Sequence, residues 1–228
     1  MSISLSPFDS DTALFNTGTG LFMITGLASG DVLVKPFCEG IEETVHLNVY
    51  TTPHGRNRII DIIGDLGGFA FEDYDNECEN SFANENGDRY ITCLNADLTL
   101  SDPEYIVATP RGNWTGKTKG GLILSKDCGS TWERLPMPRG LSEFIDQKLD
   151  NIEKPNVDSG WTAISADGKR IMWAVAGGKG FSNKAVCYTD DEGKTWQKSI
   201  FTDSSGNSAD EHNVKIFSDY YNSELFFA

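Results

Sequence analysis

Short apolar and β-branched runs, separated by clusters of Gly, Asp, Asn, Ser and Pro, dominate the hydrophobic pattern along the chain. Such runs are typical of β-strands. They predict strands at 13–16, 21–25, 32–35, 59–63, 105–108, 122–124, 171–175 and 185–188. A helical spacing of apolar residues stands out only at Leu141–Ile152, where we predict a short helix inserted into a β framework. The chain is therefore expected to be all-β.

A short phrase occurs twice, as Ser125–Trp132 and again as Thr189–Trp196. Each copy directly follows a predicted strand and matches the Asp-box pattern Ser/Thr-x-Asp-x-Gly-x-Thr-Trp. We expect a hairpin in which the Asp accepts backbone hydrogen bonds, the Gly adopts a positive φ and the Trp packs back on the turn. Asp boxes are structural, so Asp127 and Asp191 are not expected to be catalytic.

A weaker polar phrase precedes four apolar runs and predicts a turn before each buried strand. Its copies are Phe8–Asp11, Ser101–Glu104, Ala166–Lys169 and Tyr221–Glu224. The later intervals of roughly 55 to 65 residues are typical of β-propeller blades. The first interval is longer, about 93 residues, and is expected to hold an insertion or an additional blade.

Composition narrows the possible partners. A formal net charge of −15 and a pI near 4.5 argue against a phosphate-binding face, which needs clustered Lys and Arg. No apolar stretch approaches the ~20 residues of a membrane helix, and residues 1–16 lack the features of a signal peptide. We therefore expect neither nucleic acid nor a membrane as a partner.

The length of 228 residues is too short to close a ring of six or seven blades at this period. We therefore expect a partial seven-bladed β-propeller domain over 1–228, with about three full blades and partial blades at its ends. A fragment of a longer protein is the favoured interpretation, and a chain that closes only by association is the alternative.

The five cysteines and three histidines have no metal-ligand spacing, so neither a metal site nor a cofactor is predicted. Cys78 and Cys93 bracket a polar loop, so a disulfide between them is one alternative. The histidines, His46, His54 and His212, are scattered and are expected to be surface or packing residues.

The candidate for chemistry is Asp65, which follows the apolar strand at 59–63 and lies within Gly64–Phe69. Glycines around a carboxylate at a strand end can leave room for a bulky ligand. Apolar neighbours would favour the protonated form that a general acid needs. An aspartate that merely caps a glycine-rich turn is the commoner alternative.

The segment Gly64–Phe69, with Lys35–Thr44 before it, resembles the start of the second propeller in glycoside hydrolase family 74. This family comprises xyloglucanases and oligoxyloglucan reducing-end-specific cellobiohydrolases. Further phrases agree in the family's order, at Ser6–Asp11, Thr162–Gly168, Val186–Trp196 and Phe217–Asn222. Asp boxes alone are shared with sialidases and sortilin-like propellers, whereas Gly-Asp-Leu-Gly-Gly-Phe is far more particular.

The resemblance implies a secreted, inverting endo- or exo-β-1,4-glucanase that binds xyloglucan or its oligosaccharides in a cleft between two propellers. Asp65 corresponds to the family's general acid. The catalytic base would come from an N-terminal propeller that this chain lacks, so the isolated chain is expected to be inactive. Acidic residues near Asp65 do not match the family's base motif; they are Glu42, Glu43, Asp61, Asp73 and Asp75.

Substrate contacts are expected from the motif residues Gly67, Gly68 and Phe69 and from Trp114 in a Gly/Lys/Thr-rich loop. Trp161 is a further aromatic candidate, for which propeller packing is the favoured interpretation. After Phe69 the chain continues with the acidic run 70–75, where the family tends to have a basic or His-containing segment.

Two other functions remain open from the sequence. One is a non-catalytic Asp-box propeller that binds a glycan or a protein partner. The other is an inactive, truncated reading frame.

Overall fold

The computed structural model describes residues 2–18, 20–39, 44–73, 75, 77–78, 80–113, 115, 117–136, 160–175, 186–207 and 214–228. Within these ranges the regular secondary structure consists of β-strands, which confirms the predicted all-β fold. The predicted helix at Leu141–Ile152 lies outside them. No helix in the described part of the chain is long and apolar enough to cross a membrane.

The first compact unit, Met1–Val45, contains one four-stranded antiparallel sheet. Its strands are β1 (Ser2–Leu5), β2 (Ala13–Thr17), β3 (Gly20–Thr25) and β4 (Leu33–Pro36). Each strand pairs with the next along the chain. The Asp11 carboxylate accepts hydrogen bonds from the amides of Gly26 and Ala28, and so joins the β1–β2 turn to the β3–β4 turn.

The second unit, His46–Ala228, contains three four-stranded sheets and one two-stranded sheet. We call them sheets 2 to 5. Sheet 2 has β5 (His46–Thr51), β6 (Ile59–Ile63), β7 (Gly67–Phe71) and β8 (Asn80–Ser81). Sheet 3 has β9 (Cys93–Leu98), β10 (Ile106–Pro110), β11 (Ile123–Ser125) and β12 (Glu133–Arg134). Sheet 4 has β13 (Trp161–Ile164), β14 (Ile171–Ala174), β15 (Val186–Thr189) and β16 (Gln197–Lys198), and sheet 5 has β17 (Phe217–Ser218) and β18 (Phe226–Phe227).

Sheets 2 to 5 follow one another as propeller blades, with the first strand of each sheet beside the first strand of the next. Strand β9 contacts β5 and β6 on one side and β13 on the other, and β13 in turn contacts β17. Side-chain hydrogen bonds join these first strands. Asn95 Oδ1 accepts a hydrogen bond from the Thr162 amide at 2.7 Å, and Asp97 Oδ2 accepts one from the Ile164 amide at 2.9 Å.

The apolar core fills the two gaps on either side of sheet 3. Alternate residues of β10 point to opposite faces, so Ile106 and Ala108 pack against Ile60 of sheet 2 while Val107 packs against Trp173 of sheet 4. All of these side chains are fully buried. Burial on both faces explains why β10 is apolar in consecutive positions from Ile106 to Ala108, since each face contributes about 1.5–3 kcal/mol per large aliphatic side chain.

The polar phrases lie at equivalent places in the sheets. They form the hairpins β1–β2, β9–β10, β13–β14 and β17–β18, each joining a first strand to a second. The hairpin β5–β6 lacks the phrase and has Thr52–Arg58 instead. Sheet 2 therefore occupies the long interval between the first and second copies of the phrase.

The two Asp boxes adopt the predicted hairpin and have matching hydrogen bonds. Asp127 accepts from the Thr131 amide (2.8 Å) and hydroxyl (2.6 Å), and Asp191 accepts from Thr195 in the same way (2.8 and 2.7 Å). Burial alone would raise the pKa of Asp127, but hydrogen bonds from Thr131 and Ser125 outweigh it and lower this pKa. The boxes join third to fourth strands, at the outer hairpins of sheets 3 and 4.

Candidate active site

Asp65 lies in the three-residue turn that joins β6 to β7, where Ile63 pairs with Gly67. Its side chain is exposed, and its φ of 64° is in the left-handed region. Two other described non-glycine residues have such a φ, Cys128 and Glu192, and they occupy equivalent positions in the two Asp boxes. Asp65 is therefore the described left-handed aspartate outside the Asp boxes, in a residue type that tolerates this conformation.

The Asp65 turn is fixed to the start of sheet 3. The Asp65 amide donates a hydrogen bond to the Thr92 hydroxyl at 3.0 Å, and Gly67 forms a parallel bridge with Thr92. Thr92 directly precedes β9. The position of the carboxylate therefore depends on the contact between two neighbouring blades.

Gly67 and Gly68 are buried and face protein atoms. A Cβ at Gly67, whose φ is +80°, would lie 2.8 Å from the Tyr90 carbonyl oxygen. A Cβ at Gly68 would lie 2.7 Å from the Asp61 carbonyl oxygen and 3.0 Å from the Phe82 ring. These contacts explain both glycines by packing, so the room they provide is taken up by Tyr90 and Phe82.

Phe69 is half-buried and lies on β7, the strand that follows the Asp65 turn. Its ring centroid is 6.3 Å from that of Phe71, and the Arg89 guanidinium lies 5.8 Å from the Phe69 centroid. Phe69 pairs with Asp61 across β6 and β7, so the two side chains share a face of sheet 2.

Asp61 is buried in the middle of the apolar strand β6, with 6% of its surface exposed. Its Oδ2 lies 2.7 Å from His46 Nδ1, and the His46 side chain is 55% exposed. Among the described residues, Asp61 Oδ1 has no hydrogen-bond partner. Nothing in the sequence indicates that the two residues meet, because their contact depends on the β5–β6 register.

The other acidic residues near Asp65 in the sequence do not form a second carboxylate site in the described chain. Asp73 Oδ1 accepts a hydrogen bond from the Asp75 amide at 2.9 Å, in a local turn after β7. Glu42 and Glu43 lie outside the described residues. No group of three metal-ligating side chains in the described ranges is arranged to hold a metal ion.

Of the two tryptophan candidates for substrate contact, the structure describes Trp161. Trp114 lies outside the described residues. Trp161 packs edge-on against Phe217, with ring centroids 5.9 Å apart, and Lys215 Nζ lies 4.6 Å from its ring centroid. This environment agrees with the packing interpretation of Trp161.

A cavity of about 250 Å³ lies along the first strands of sheets 2 to 5. Asp97 lines it and accepts hydrogen bonds from the Leu98 and Ile164 amides and from the Ser218 hydroxyl. Desolvation raises the pKa of Asp97 to about 6, although these hydrogen bonds oppose the shift. Asp97 thus links the first strands of sheets 3, 4 and 5. Its position between apolar neighbours in β9 is the sequence feature that could have indicated this role.

Cys93 is a buried free thiol, so the disulfide with Cys78 considered from the sequence is not formed. Burial raises the pKa of Cys93 to about 12. The thiol therefore behaves as an apolar core group and contributes no nucleophile to the site.

No family model matches the chain, but the relatives found by comparison with known proteins agree with one another. A xyloglucanase from Paenibacillus sp is 25% identical over 231 residues, which cover 99% of this chain and 19% of that protein. An oligoxyloglucan-reducing end-specific xyloglucanase from Emericella nidulans is 27% identical over 181 residues, covering 77% of this chain and 20% of the relative. The chain thus spans about a fifth of the length of these relatives.

The fold is also found in a solved structure. The crystal structure of the GH74 xyloglucanase from Xanthomonas campestris superposes with a TM-score of 0.62 at 21% identity, over 96% of this chain and 27% of that one. At this identity the likeness establishes the fold. Sequence and fold together relate the chain to the xyloglucanases of glycoside hydrolase family 74.

Proposed function

We propose that the chain is the part of an inverting xyloglucan hydrolase that carries the general acid, Asp65. The observation that carries this proposal is the exposed Asp65 carboxylate on a left-handed backbone, held by Thr92 within the Gly64–Phe69 motif. The relationship to xyloglucanases supplies the substrate class. The polymer lies outside the cell, so we propose that the enzyme is secreted.

In this proposal Asp65 donates its proton to the glycosidic oxygen as the bond to the anomeric carbon breaks. A carboxylate on the other side of the sugar accepts a proton from water, and the oxygen of that water bonds to the anomeric carbon. Inversion requires about 6.5–9.5 Å between the two carboxyl groups, to leave room for the water. Asp61 is buried beside His46 and is poorly placed for that role. We propose that the base belongs to an N-terminal propeller that partners this chain.

A chimera tests the proposal. The segment of the Paenibacillus xyloglucanase that matches this chain is replaced by the chain, and release of reducing sugar from xyloglucan is measured. Asp65→Asn should lower kcat by about 100-fold or more, because general acid catalysis contributes that much. Asp102→Asn, a change at an exposed aspartate in the β9–β10 hairpin, is the matched control and should leave kcat unchanged.

A second substrate separates acid catalysis from a structural effect. An oligosaccharide with a chloronitrophenyl leaving group departs without protonation, so Asp65→Asn should cleave it nearly as fast as the parent chimera does. Equal loss on both substrates, or full activity of Asp65→Asn on xyloglucan, contradicts the assignment. Binding of xyloglucan oligosaccharides without turnover in any pairing would instead support a non-catalytic propeller.

A further inference from the structure

The His46–Asp61 pair has a geometry that the fold alone does not require. Asp61 stands between isoleucines on both sides in β6, where an apolar residue would avoid the cost of burying a carboxylate. Carboxylates that serve the fold of this chain are saturated with donors: Asp97 accepts from three groups, and Asp127 from Ser125 and Thr131. For Asp61 the described contact is His46 alone, and Oδ1 is left unpaired.

A bulge in β5 brings His46 to Asp61. Val49 pairs with Asp61, Asn48 with Ile62, and His46 with Ile63, so the register shifts by one residue between His46 and Asn48. Without that shift His46 would share the face of Asn48 and Tyr50, which is the side of the apolar core. Bulges often re-aim a side chain next to an active site.

The pair also fixes which edge of the imidazole is available. A carboxylate oxygen accepts, so His46 Nδ1–H donates to Asp61 and the ring orientation is set. Nε2 is then left for a ligand on a side chain that is 55% exposed. A neutral ring accepts a hydrogen bond there and a protonated ring donates one, and a sugar hydroxyl can do either.

The imidazole lies at the same end of sheet 2 as Asp65. His46 pairs with Ile63, the last residue of β6, and Asp65 lies in the turn that follows this residue. Phe69 pairs with Asp61 and shares its face, so a half-exposed aromatic ring lies alongside. An aromatic face with an oriented hydrogen-bonding group beside it is suited to a pyranose ring, which has an apolar face and a rim of hydroxyls.

We infer that His46, oriented by Asp61, hydrogen-bonds through Nε2 to a hydroxyl of the glucan backbone in the sugar bound beside Asp65. His46 is thus a substrate-binding residue and Asp61 a positioning residue. The inference rests on the proposed function, which supplies the glycan as the ligand.

Ring-nitrogen NMR of the 228-residue chain tests this directly, because labelled histidine gives only three imidazoles. Titration with a xyloglucan oligosaccharide should shift the His46 Nε2 signal, assigned with His46→Gln, and leave that of exposed His54 unchanged. His46→Ala should weaken binding about 3- to 10-fold, the effect of one hydrogen bond. His46→Gln should recover part of this loss, and His54→Ala is the matched control.

The role of Asp61 is tested separately with Asp61→Asn, which should change the His46 ring signals before any glycan is added and weaken binding less than His46→Ala does.

If the Gly64, Gly67 and Gly68 amides shift with glycan but His46→Ala binds as the parent does, the inference is wrong and the proposed function stands. If no signal in the chain responds to the glycan, both are contradicted. A loss of stability in His46→Ala with unchanged affinity also overturns the inference.

Discussion

The main-chain amide of Asp65 donates a hydrogen bond to the Thr92 hydroxyl, 3.0 Å away, and this contact joins the β6–β7 turn to the residue that precedes β9. The candidate acid is therefore oriented by two blades. A change in the contact between sheets 2 and 3 is expected to reach the carboxylate even when no residue of the turn is altered.

Thr92→Val removes the acceptor while nearly preserving shape, so the Asp65 turn should loosen. Losing one hydrogen bond of this kind costs about 1 kcal/mol, which corresponds to roughly fivefold faster hydrogen exchange at the Asp65 amide. Thr92→Ser keeps the hydroxyl and should exchange as the parent does. Equal exchange in the Val and Ser variants would show that the hydroxyl does not hold the turn.

Gly67→Ala should destabilise the protein by about 3 kcal/mol, because the new methyl group meets the Tyr90 carbonyl and φ is left-handed. Gly87→Ala separates the cost of the left-handed φ from the cost of the contact with the Tyr90 carbonyl. Gly87 has nearly the same φ, +78°, but nothing lies within 4 Å of the added Cβ, so its cost should be about 1 kcal/mol. Urea unfolding measures both, and equal losses would refute the packing explanation of Gly67.

Asp97 should make stability fall as pH rises. Its pKa is raised to about 6 in the folded protein and is near 3.8 when unfolded, so between these values the folded state binds more protons. Its favourable contribution is therefore complete below about pH 4 and lost by about pH 6. Asp97→Asn cannot ionise, so its unfolding free energy relative to the parent should rise by on the order of 3 kcal/mol from pH 4 to 7. Parallel stability curves for the two proteins would contradict this prediction.

Asp127→Ala should cost about 2 kcal/mol of stability, because it removes the acceptor for the Thr131 amide and hydroxyl and for the Ser125 hydroxyl. In the chimera its kcat on xyloglucan should be unchanged, since the Asp box lies on the outer hairpin of sheet 3. Thr131→Ser keeps the hydroxyl and serves as the control. A selective loss of kcat in Asp127→Ala at unchanged stability would contradict the structural role.

Local features of the sequence predicted much of the fold. Strands β6 and β14 and the two Asp boxes were predictable because their signals lie within a few residues: apolar runs, an Asp at fixed spacing from its Thr, and a Gly for the positive φ. Strand β7 was harder to predict. Its Gly-Gly start resembles a loop, and it forms a strand because β6 and β8 pair with it on both sides.

Local sequence signals were enough to predict the all-β fold, the repeated hairpins and Asp65 as the candidate acid, because each depends on short-range hydrogen bonding or on a local motif. Three further features became visible only in the folded chain: Gly67 and Gly68 pack against Tyr90 and Phe82, Thr92 holds the Asp65 turn, and His46 contacts Asp61. Those contacts join residues from different strands or blades. Their partners are set by strand register and blade packing, which arise only when the sheets assemble.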